Sequence, residues 1–235
     1  MAINTVLFDL DGTLLPMDQD EFIKAYMGRL ARYMVPYGYD PDLLIKGLWM
    51  GTGAMVKNDG TKTNEKLFFE VFSSIVNRDA SADIPVFETF YNTDFQNVKN
   101  VCGFSENSSK IIKGLKERGF RVCLATNPLF PVAATHSRVR WAGLDVEDFD
   151  LITTYENSSF SKPNLDYYRE ILEKTGCGAS ECAMVGNDVG EDMIAETLGM
   201  KTFLLTDCLI NKTDRSVDEF AHGGFDELLS WLDTL

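Results

Sequence analysis

Residues 6–13, Val-Leu-Phe-Asp-Leu-Asp-Gly-Thr, place two carboxylates directly after a short apolar run. The apolar residues predict a buried β-strand, and side chains two positions apart on an extended backbone leave from the same face. We therefore expect Asp9 and Asp11 to point together into one pocket. Like charges held this close require a cation. Their environments can also separate their two pKa values, so that one carboxylate stays an ionised nucleophile and the other becomes a proton donor.

Two simpler interpretations compete with a catalytic role for this stretch. Asp-Gly is a common turn sequence, and Asp-x-Asp is frequent on protein surfaces. A calcium-binding EF-hand loop would need glycine at the sixth position counted from Asp9, where this chain has Leu14. The calcium loop is therefore excluded, and the choice between a turn and a catalytic pair depends on the rest of the chain.

Two later apolar runs also end in polar residues. Residues 121–125 lead into Thr126–Asn127, and residues 183–185 lead into Gly186–Asp188. Lys162 lies between them, at the start of a helical pattern. Ligands of open α/β sheets lie beyond the carboxyl ends of the parallel strands, so we expect these side chains to meet in one crevice.

These segments resemble the four motifs of the haloacid dehalogenase-like superfamily and follow that family's order. The segments are residues 9–13, 126–127, 162–163 and 186–192. The resemblance implies an α/β fold with a doubly wound, Rossmann-like parallel sheet, and it indicates the phosphatase branch with a helical cap inserted after the first motif. We predict a catalytic core of residues 1–14 and 101–235 and a helical cap of residues 15–100.

The resemblance also assigns a role to each motif residue. Asp9 would attack the phosphorus atom and form an aspartyl phosphate, and Asp11 would protonate the leaving alcohol and then activate water. Thr126 and Lys162 would be catalytic residues that bind the transferring phosphoryl group and offset its charge. Asn127 would also bind the substrate.

Mg²⁺ is the cofactor that the resemblance implies. Asp9, the backbone carbonyl of Asp11 and Asp188 would be its oxygen ligands, and Asp192 would act through water.

The fourth motif departs from the common pattern. Many family members begin it with Gly-Asp, whereas this chain has Gly186–Asp188, so either Asn187 or Asp188 could be the direct ligand. We place the metal on Asp188 and treat Asn187 and Glu191 as candidates for hydrogen bonds that orient the metal ligands.

Asp11 also discriminates within the superfamily. The hydrolytic dehalogenases lack the second acid and need no metal, so Asp11 favours hydrolysis of a phosphate ester, whose alkoxide leaving group must be protonated. The expected substrate is a small phosphorylated metabolite. A sugar phosphomutase of the same fold stays an alternative. A catalytically silent binding module is disfavoured, because Asp9, Asp11 and Lys162 are all present.

The composition limits the partners. The chain has 235 residues, a net charge of -14 and a pI of about 4.5, which argues against nucleic acid polymers and anionic membranes. No apolar stretch is long enough to span a membrane, and no basic region precedes an apolar N-terminal segment. The five cysteines show no metal-ligand spacing and suit a reducing compartment. We therefore expect a cytoplasmic enzyme, whereas the sequence indicates no oligomeric state.

The predicted cap contains helical patterns and no strand pattern. Its helices are predicted over residues 19–35, 41–50, 64–78 and 85–97. Strands are predicted over residues 6–8, 121–125, 150–153, 183–185 and 202–205, and core helices over 106–117, 131–141, 163–175, 191–198 and 225–232.

Two features of the predicted cap could concern the substrate. Residues 49–53, Trp-Met-Gly-Thr-Gly, could form a mobile substrate loop, but a helix end followed by a plain loop is favoured. Tyr26, Tyr33, Tyr37 and Tyr39 could stack on a base or sugar, although aromatic residues at helical spacing more often fill a core. The sequence does not identify the substrate.

Overall fold

The computed structural model describes residues 2–235 and contains one six-stranded sheet. The strands are Thr5–Phe8 (β1), Arg121–Leu124 (β2), Leu151–Ile152 (β3), Cys182–Gly186 (β4), Lys201–Leu205 (β5) and Ala221–Gly223 (β6). All neighbouring strands are parallel, in the order β3-β2-β1-β4-β5-β6. The strand order reverses between β1 and β4, as in a Rossmann-like sheet, which confirms the predicted fold class.

A long series of helices follows β1, and residues 19–101 are called the helical segment below. Its α-helices are Gln19–Met34 (α1), Pro41–Val56 (α2), Asn64–Val76 (α3) and Ile84–Asn92 (α4). Its 3₁₀ helices are Val35–Tyr37, Ala80–Asp83 and Asp94–Val101. The buried side chains of the helical segment form one continuous hydrophobic core with one face of the sheet.

The remaining α-helices cover both faces of the sheet. They are Glu106–Glu117 (α5), Val132–Trp141 (α6), Leu165–Thr175 (α7) and Phe225–Leu232 (α8). Val6 and Phe8 of β1 belong to the core that includes α5, α6 and α8, whereas Leu7 between them belongs to a second core with α7. This alternation places the two cores on opposite faces, so the central strands are apolar throughout.

The predicted starts of three helices, at residues 19, 41 and 106, are confirmed. Asp18 caps α1, where its Oδ1 accepts a hydrogen bond from the Glu21 amide at 3.0 Å. Ser105 caps α5, where its Oγ accepts from the Asn107 amide at 3.3 Å. Pro41 is the first residue of α2. A backbone N–H at this position would have no partner within the helix, so the N–H that proline lacks costs no hydrogen bond.

Helix α2 continues through residues 49–53 to Val56, so both interpretations of that stretch are wrong. A Cβ added to Gly47 would lie 2.7 Å from Cδ2 of Phe72, and one added to Gly51 would lie 2.6 Å from Cδ2 of Phe68. The two glycines therefore allow α2 and α3 to approach closely, and they do not mark a loop.

Other predicted elements differ in type or length. The helix predicted over residues 85–97 is two elements, because α4 ends at Asn92 and a 3₁₀ helix begins at Asp94. The helix predicted over 191–198 is a 3₁₀ helix, Met193–Leu198. The sequence analysis missed β6, because its Ala-His-Gly sequence has no apolar alternation and it lies at the sheet edge.

The chain enters and leaves the helical segment at one place. Met17 and Cys102 form an antiparallel bridge, and the Gly103 amide donates to the Pro16 carbonyl at 2.7 Å. The division into a core of residues 1–14 and 101–235 and a cap of residues 15–100 is compatible with this crossing and stays a prediction. Within residues 2–235, none of the helices has both the length and the apolar composition needed to cross a membrane.

Candidate active site

The motif residues lie side by side at the carboxyl ends of the central strands. Asp9 directly follows β1, the loop of Thr126 follows β2, and Asn187 directly follows β4. β1 pairs in register with β2 on one side and with β4 on the other, so the three loops leave the sheet together. Lys162 reaches the same place from the loop between β3 and α7. The crevice expected at the switch point of the sheet is therefore present.

Lys162 joins two of the carboxylates. Its Nζ donates to Oδ1 of Asp9 at 2.8 Å and to Oδ1 of Asp192 at 2.6 Å, and its side chain is 1% exposed. Burial alone would lower the pKa of Lys162, but the charges of Asp192 and Asp9 outweigh it and hold that pKa well above its usual value. The site therefore contains a permanent buried cation.

The other oxygen of Asp9 is bound from its own loop. Thr13 Oγ1 lies 3.2 Å from Oδ2 of Asp9 and 3.1 Å from Oδ1 of Asn187. Asn187 in turn donates through Nδ2 to the Cys208 carbonyl at 2.6 Å, so both ends of its amide are bound by protein groups. Gly12 has a φ of 86°, and a Cβ there would lie 2.3 Å from Nδ2 of Asn187. Asn187 thus packs against the loop after β1, which contains Gly12, and fixes the conformation of that loop.

Asp11 has a different environment. Its Oδ2 accepts a hydrogen bond from Nη1 of Arg138, and its Oδ1 is buried without a hydrogen-bond partner. Arg138 is completely buried, and its guanidinium carbon lies 4.4 Å from the centre of the Phe130 ring. Burial raises the pKa of Asp11, the charge of Arg138 opposes that rise, and repulsion from Asp9 adds to it. The raised pKa makes Asp11 easier to protonate than an ordinary aspartate, whereas its pairing with Arg138 favours the carboxylate.

Asp188 shapes the loop after β4. Its Oδ1 accepts hydrogen bonds from the amides of Gly190 at 2.7 Å and Glu191 at 2.9 Å. The Asp188 amide donates to Oδ2 of Asp192 at 3.0 Å. A Cβ added to Gly186 would lie 2.1 Å from that same oxygen, so this position requires glycine. Asp192 is buried, and it links this loop to Lys162.

Thr126 and Asn127 are placed by groups from three elements. The Thr126 carbonyl accepts from the hydroxyl of Tyr167 at 2.9 Å and from that of Thr153 at 2.7 Å. Asn127 donates through Nδ2 to Oε2 of Glu191 at 3.0 Å, whereas its Oδ1 is buried without a partner. Asn127 and Glu191 also line a cavity of about 150 Å³ together with Asp11.

The sequence analysis missed two residues of this site. Arg138 could have been noticed, because Ala134, Arg138 and Ala142 are four residues apart and share the buried face of α6. Asn64 gave no such signal, since a polar residue at a helix start is ordinary. It is fully buried, and its Nδ2 donates to the Pro128 carbonyl and to the Ser161 hydroxyl, both at 3.1 Å. Asn64 thus connects the helical segment to two catalytic loops.

The oxygen atoms of the site fit a hard divalent cation. Within residues 2–235, no group of three or more His, Cys, Asp and Glu side chains is arranged to hold a metal. The predicted ligand set needs only two carboxylates, those of Asp9 and Asp188, with the backbone carbonyl of Asp11. The Oδ1 atom of Asp11 is a further carboxylate oxygen, buried and without a hydrogen-bond partner. Carboxylate and carbonyl oxygens are the ligands that Mg²⁺ prefers.

Known proteins share this sequence pattern and fold. Pyrophosphatase PpaX of Bacillus cereus strain AH820 is 25% identical over 205 residues, which are 86% of this chain and 82% of that protein. Glyceraldehyde 3-phosphate phosphatase of Methanothermobacter thermautotrophicus is 26% identical over 139 residues, which are 59% of this chain and 57% of that protein. The HAD-hydrolase YfnB from Bacillus subtilis, whose crystal structure is bound to magnesium, has the same fold, with a TM-score of 0.56. It is 19% identical, and the match covers 99% of this chain and 100% of that one. Residues 3–195, which are most of the chain, match the family profile described as haloacid dehalogenase-like hydrolase, and the chain therefore belongs to this family of hydrolases.

Proposed function

We propose that this chain is a Mg²⁺-dependent phosphomonoester hydrolase that forms an aspartyl phosphate on Asp9. The observation that carries the proposal is the difference between the two neighbouring carboxylates. Lys162 lies 2.8 Å from Asp9, whereas Asp11 binds Arg138 and burial raises its pKa above the usual value. The chain thus has a nucleophile beside a buried cation and, two residues away, a group that can donate a proton. The names of the relatives, a pyrophosphatase and a sugar-phosphate phosphatase, support phosphate chemistry.

In the first step, a carboxylate oxygen of Asp9 attacks the phosphorus atom, and the bond from phosphorus to the ester oxygen breaks. Asp11 transfers its carboxyl proton to the leaving oxygen, so that an alcohol departs instead of an alkoxide. Lys162 and the Thr126 loop hold the phosphoryl oxygens while charge builds up on them. Bound Mg²⁺, held by Asp9, Asp188 and the Asp11 carbonyl, would reduce the repulsion between the carboxylate and the phosphate.

In the second step, Asp11 is a carboxylate and accepts a proton from water. The water oxygen attacks the phosphorus atom of the aspartyl phosphate, the bond to the Asp9 oxygen breaks, and inorganic phosphate leaves. Asp9 is then ionised again and Asp11 is protonated, so the cycle can repeat.

The test is phosphate release from small phosphomonoesters, with Mg²⁺ and with a chelator, by the native chain and by Asp9→Asn. We expect release that requires Mg²⁺ and falls by about 1,000-fold or more in Asp9→Asn, since the nucleophile is lost. Asp218→Asn is the matched control, because this side chain is 90% exposed and is none of the predicted site residues, and it should keep full activity. Release that survives in Asp9→Asn, or that does not depend on Mg²⁺, contradicts the proposal.

A product analysis separates the hydrolase from the mutase. A sugar phosphomutase returns a phosphorylated isomer, whereas the proposed enzyme returns inorganic phosphate and a free alcohol. Isomerisation of a sugar phosphate without phosphate release would therefore favour the mutase.

A further inference from the structure

A second cavity lies between the helical segment and the loop after β2. It has a volume of about 80 Å³ and is lined by side chains from α1, α2, α3 and α4 together with the loop of Leu129 and Phe130. Its fourteen lining residues include eight aromatic ones and no charged one. We call it the aromatic cavity; Tyr26, Trp49, Phe69, Phe87, Tyr91 and Phe130 are among its lining residues.

The aromatic cavity adjoins the cavity that contains Asp11. Ile23, Leu129 and Phe130 line both of them, so these three side chains stand between the two spaces. In the proposed reaction the leaving oxygen must contact Asp11 to receive its proton. The remainder of the leaving group therefore extends into the cavity of Asp11, one wall of which is shared with the aromatic cavity.

The polar atoms of the aromatic cavity are poorly suited to a sugar or a second phosphate. The hydroxyls of Tyr26 and Tyr91 are hydrogen-bonded to each other at 2.8 Å. A charged or polyhydroxylated group placed there would lose its contacts with water and gain few partners, because the lining has no charged side chain and its other hydroxyls are those of Thr52 and Tyr155. Aromatic walls instead favour a flat apolar group, which can stack on their faces or meet their edges.

Trp49 marks the opening of the aromatic cavity. It lines the cavity although 55% of its surface is exposed, because it lies on the outer side of α2. The cavity volume of about 80 Å³ is about half the roughly 150 Å³ of an apolar cavity that holds benzene. No group larger than one ring can therefore bind, and a ring binds only if Trp49 moves outward and widens the cavity.

We propose that the substrate is a phosphate monoester whose leaving group carries a single flat, uncharged apolar ring, and that this ring binds in the aromatic cavity. The inference rests on the proposed function, because the phosphate must be bound at Asp9 for the leaving group to reach the cavity. It excludes inorganic pyrophosphate and glyceraldehyde 3-phosphate as the preferred substrates of this chain.

The test compares 2-phenylethyl phosphate with ethyl phosphate, whose alcohols have similar acidity and differ by the ring. Burial of the ring should raise kcat/KM by about 10-fold or more. Thr52→Glu introduces a carboxylate at a lining position of α2 and should move this ratio of kcat/KM values towards one. Met50→Glu is the control, since Met50 lies on the same helix, is 52% exposed and does not line the cavity; it should keep the native ratio.

Binding of unreactive analogues gives a second measurement. 2-Phenylethylphosphonate should change the tryptophan fluorescence of the native chain and bind about 10-fold more tightly than ethylphosphonate, and Trp49→Phe should remove most of the fluorescence change. The other two tryptophans, Trp141 and Trp231, lie outside the lining of the cavity.

The outcomes separate the two proposals. If both esters are hydrolysed with equal kcat/KM, if Thr52→Glu leaves the native ratio unchanged, or if pyrophosphate is the best substrate, the ring proposal is overturned although the enzyme is a phosphatase. If no ester is hydrolysed with Mg²⁺ present, the proposed function fails. Equal affinity for the two phosphonates overturns the ring proposal independently of turnover.

Discussion

Removal of the Arg138 charge should lower the free energy of unfolding, because it would leave the carboxylate of Asp11 buried without its partner. Arg138 is completely buried, and the side chain of Asp11 is 19% exposed. Arg138→Met keeps an unbranched apolar stem and removes the cation. Breaking a buried ion pair on one side typically costs about 3–5 kcal/mol. Because Asp11 retains some access to water, we expect a loss near the lower limit, about 3 kcal/mol in the free energy of unfolding at neutral pH.

A double-mutant cycle measures the part of this loss that belongs to the pair. Urea unfolding of the native chain, Arg138→Met, Asp11→Asn and the double variant gives the coupling free energy, for which we expect about 2 kcal/mol. The double variant should be more stable than Arg138→Met, because no charge is left unpaired. Arg140→Met is the matched control on the same helix; its side chain is exposed, and the change should be within about 0.5 kcal/mol.

The pH dependence provides an independent check with a definite sign. Burial already raises the pKa of Asp11, and loss of Arg138 removes a charge that opposes this rise. A carboxyl group with a raised folded-state pKa loses stabilisation as the pH rises through that value. Arg138→Met should therefore lose less stability in mildly acidic solution than at neutral pH. A coupling free energy below about 0.5 kcal/mol, as between unrelated sites, would refute this account of the pair.

Two further predictions concern packing and the buried lysine. Gly51→Ala should destabilise the protein by about 1–3 kcal/mol because its Cβ would meet the Phe68 ring, whereas Gly53→Ala on the same helix, with no atom nearby, should stabilise it by about 0.5–1 kcal/mol. Urea unfolding of both variants measures this difference, and equal effects would contradict the packing role of Gly51. Lys162→Met should abolish phosphate release and also destabilise the fold. Burial raises the pKa of Asp192 to about 7 even beside the lysine, so the variant's loss of stability should grow as the pH rises from about 5 to 8, and a loss independent of pH would contradict the ion-pair role.

The sheet could be predicted because its signals are local. Each central strand is a short apolar run with a polar residue at its end, and strands alternating with helices specify a parallel sheet. Once the sheet is parallel, Asp9, Thr126 and Asn187 must meet at one edge, however far apart they are in sequence. The structure places them there, with Lys162 bound to Asp9. The roles of these residues in catalysis stay predictions.

The spacing of Arg138 on its helix could have indicated that it is buried, but its pairing with Asp11 could not be predicted from local pattern. Arg138 lies 127 positions away in the sequence, and an arginine on a helix is normally solvated. Its burial depends on two conditions that only the tertiary structure fulfils: a carboxylate from the loop after β1, and the Phe130 ring beside its guanidinium group. A basic residue on the apolar face of a helix is the sequence feature that suggests such a pair.

The glycines of α2 show a related effect of tertiary structure. Gly has a low helix propensity, so the sequence of residues 49–53 predicts a loop or the region after a helix end. In the structure Gly51 lies against the Phe68 ring of α3, where any larger residue would separate the two helices. The favourable contact between the helices outweighs the low helix propensity. Propensity describes an isolated helix, and here the neighbouring helix decides the outcome.

Asn64 indicates how a segment without any recognised motif can influence the chemistry. One side-chain amide from the start of α3 binds the Pro128 carbonyl and the Ser161 hydroxyl, next to the loops that carry Thr126 and Lys162. The same helix contributes Phe69 to the aromatic cavity. Buried hydrogen bonds, which are costly to break, therefore link the position of the helical segment to the position of the loops that carry Thr126 and Lys162. A substrate ring that fits the cavity would consequently stabilise the arrangement in which the phosphate-binding groups are already together.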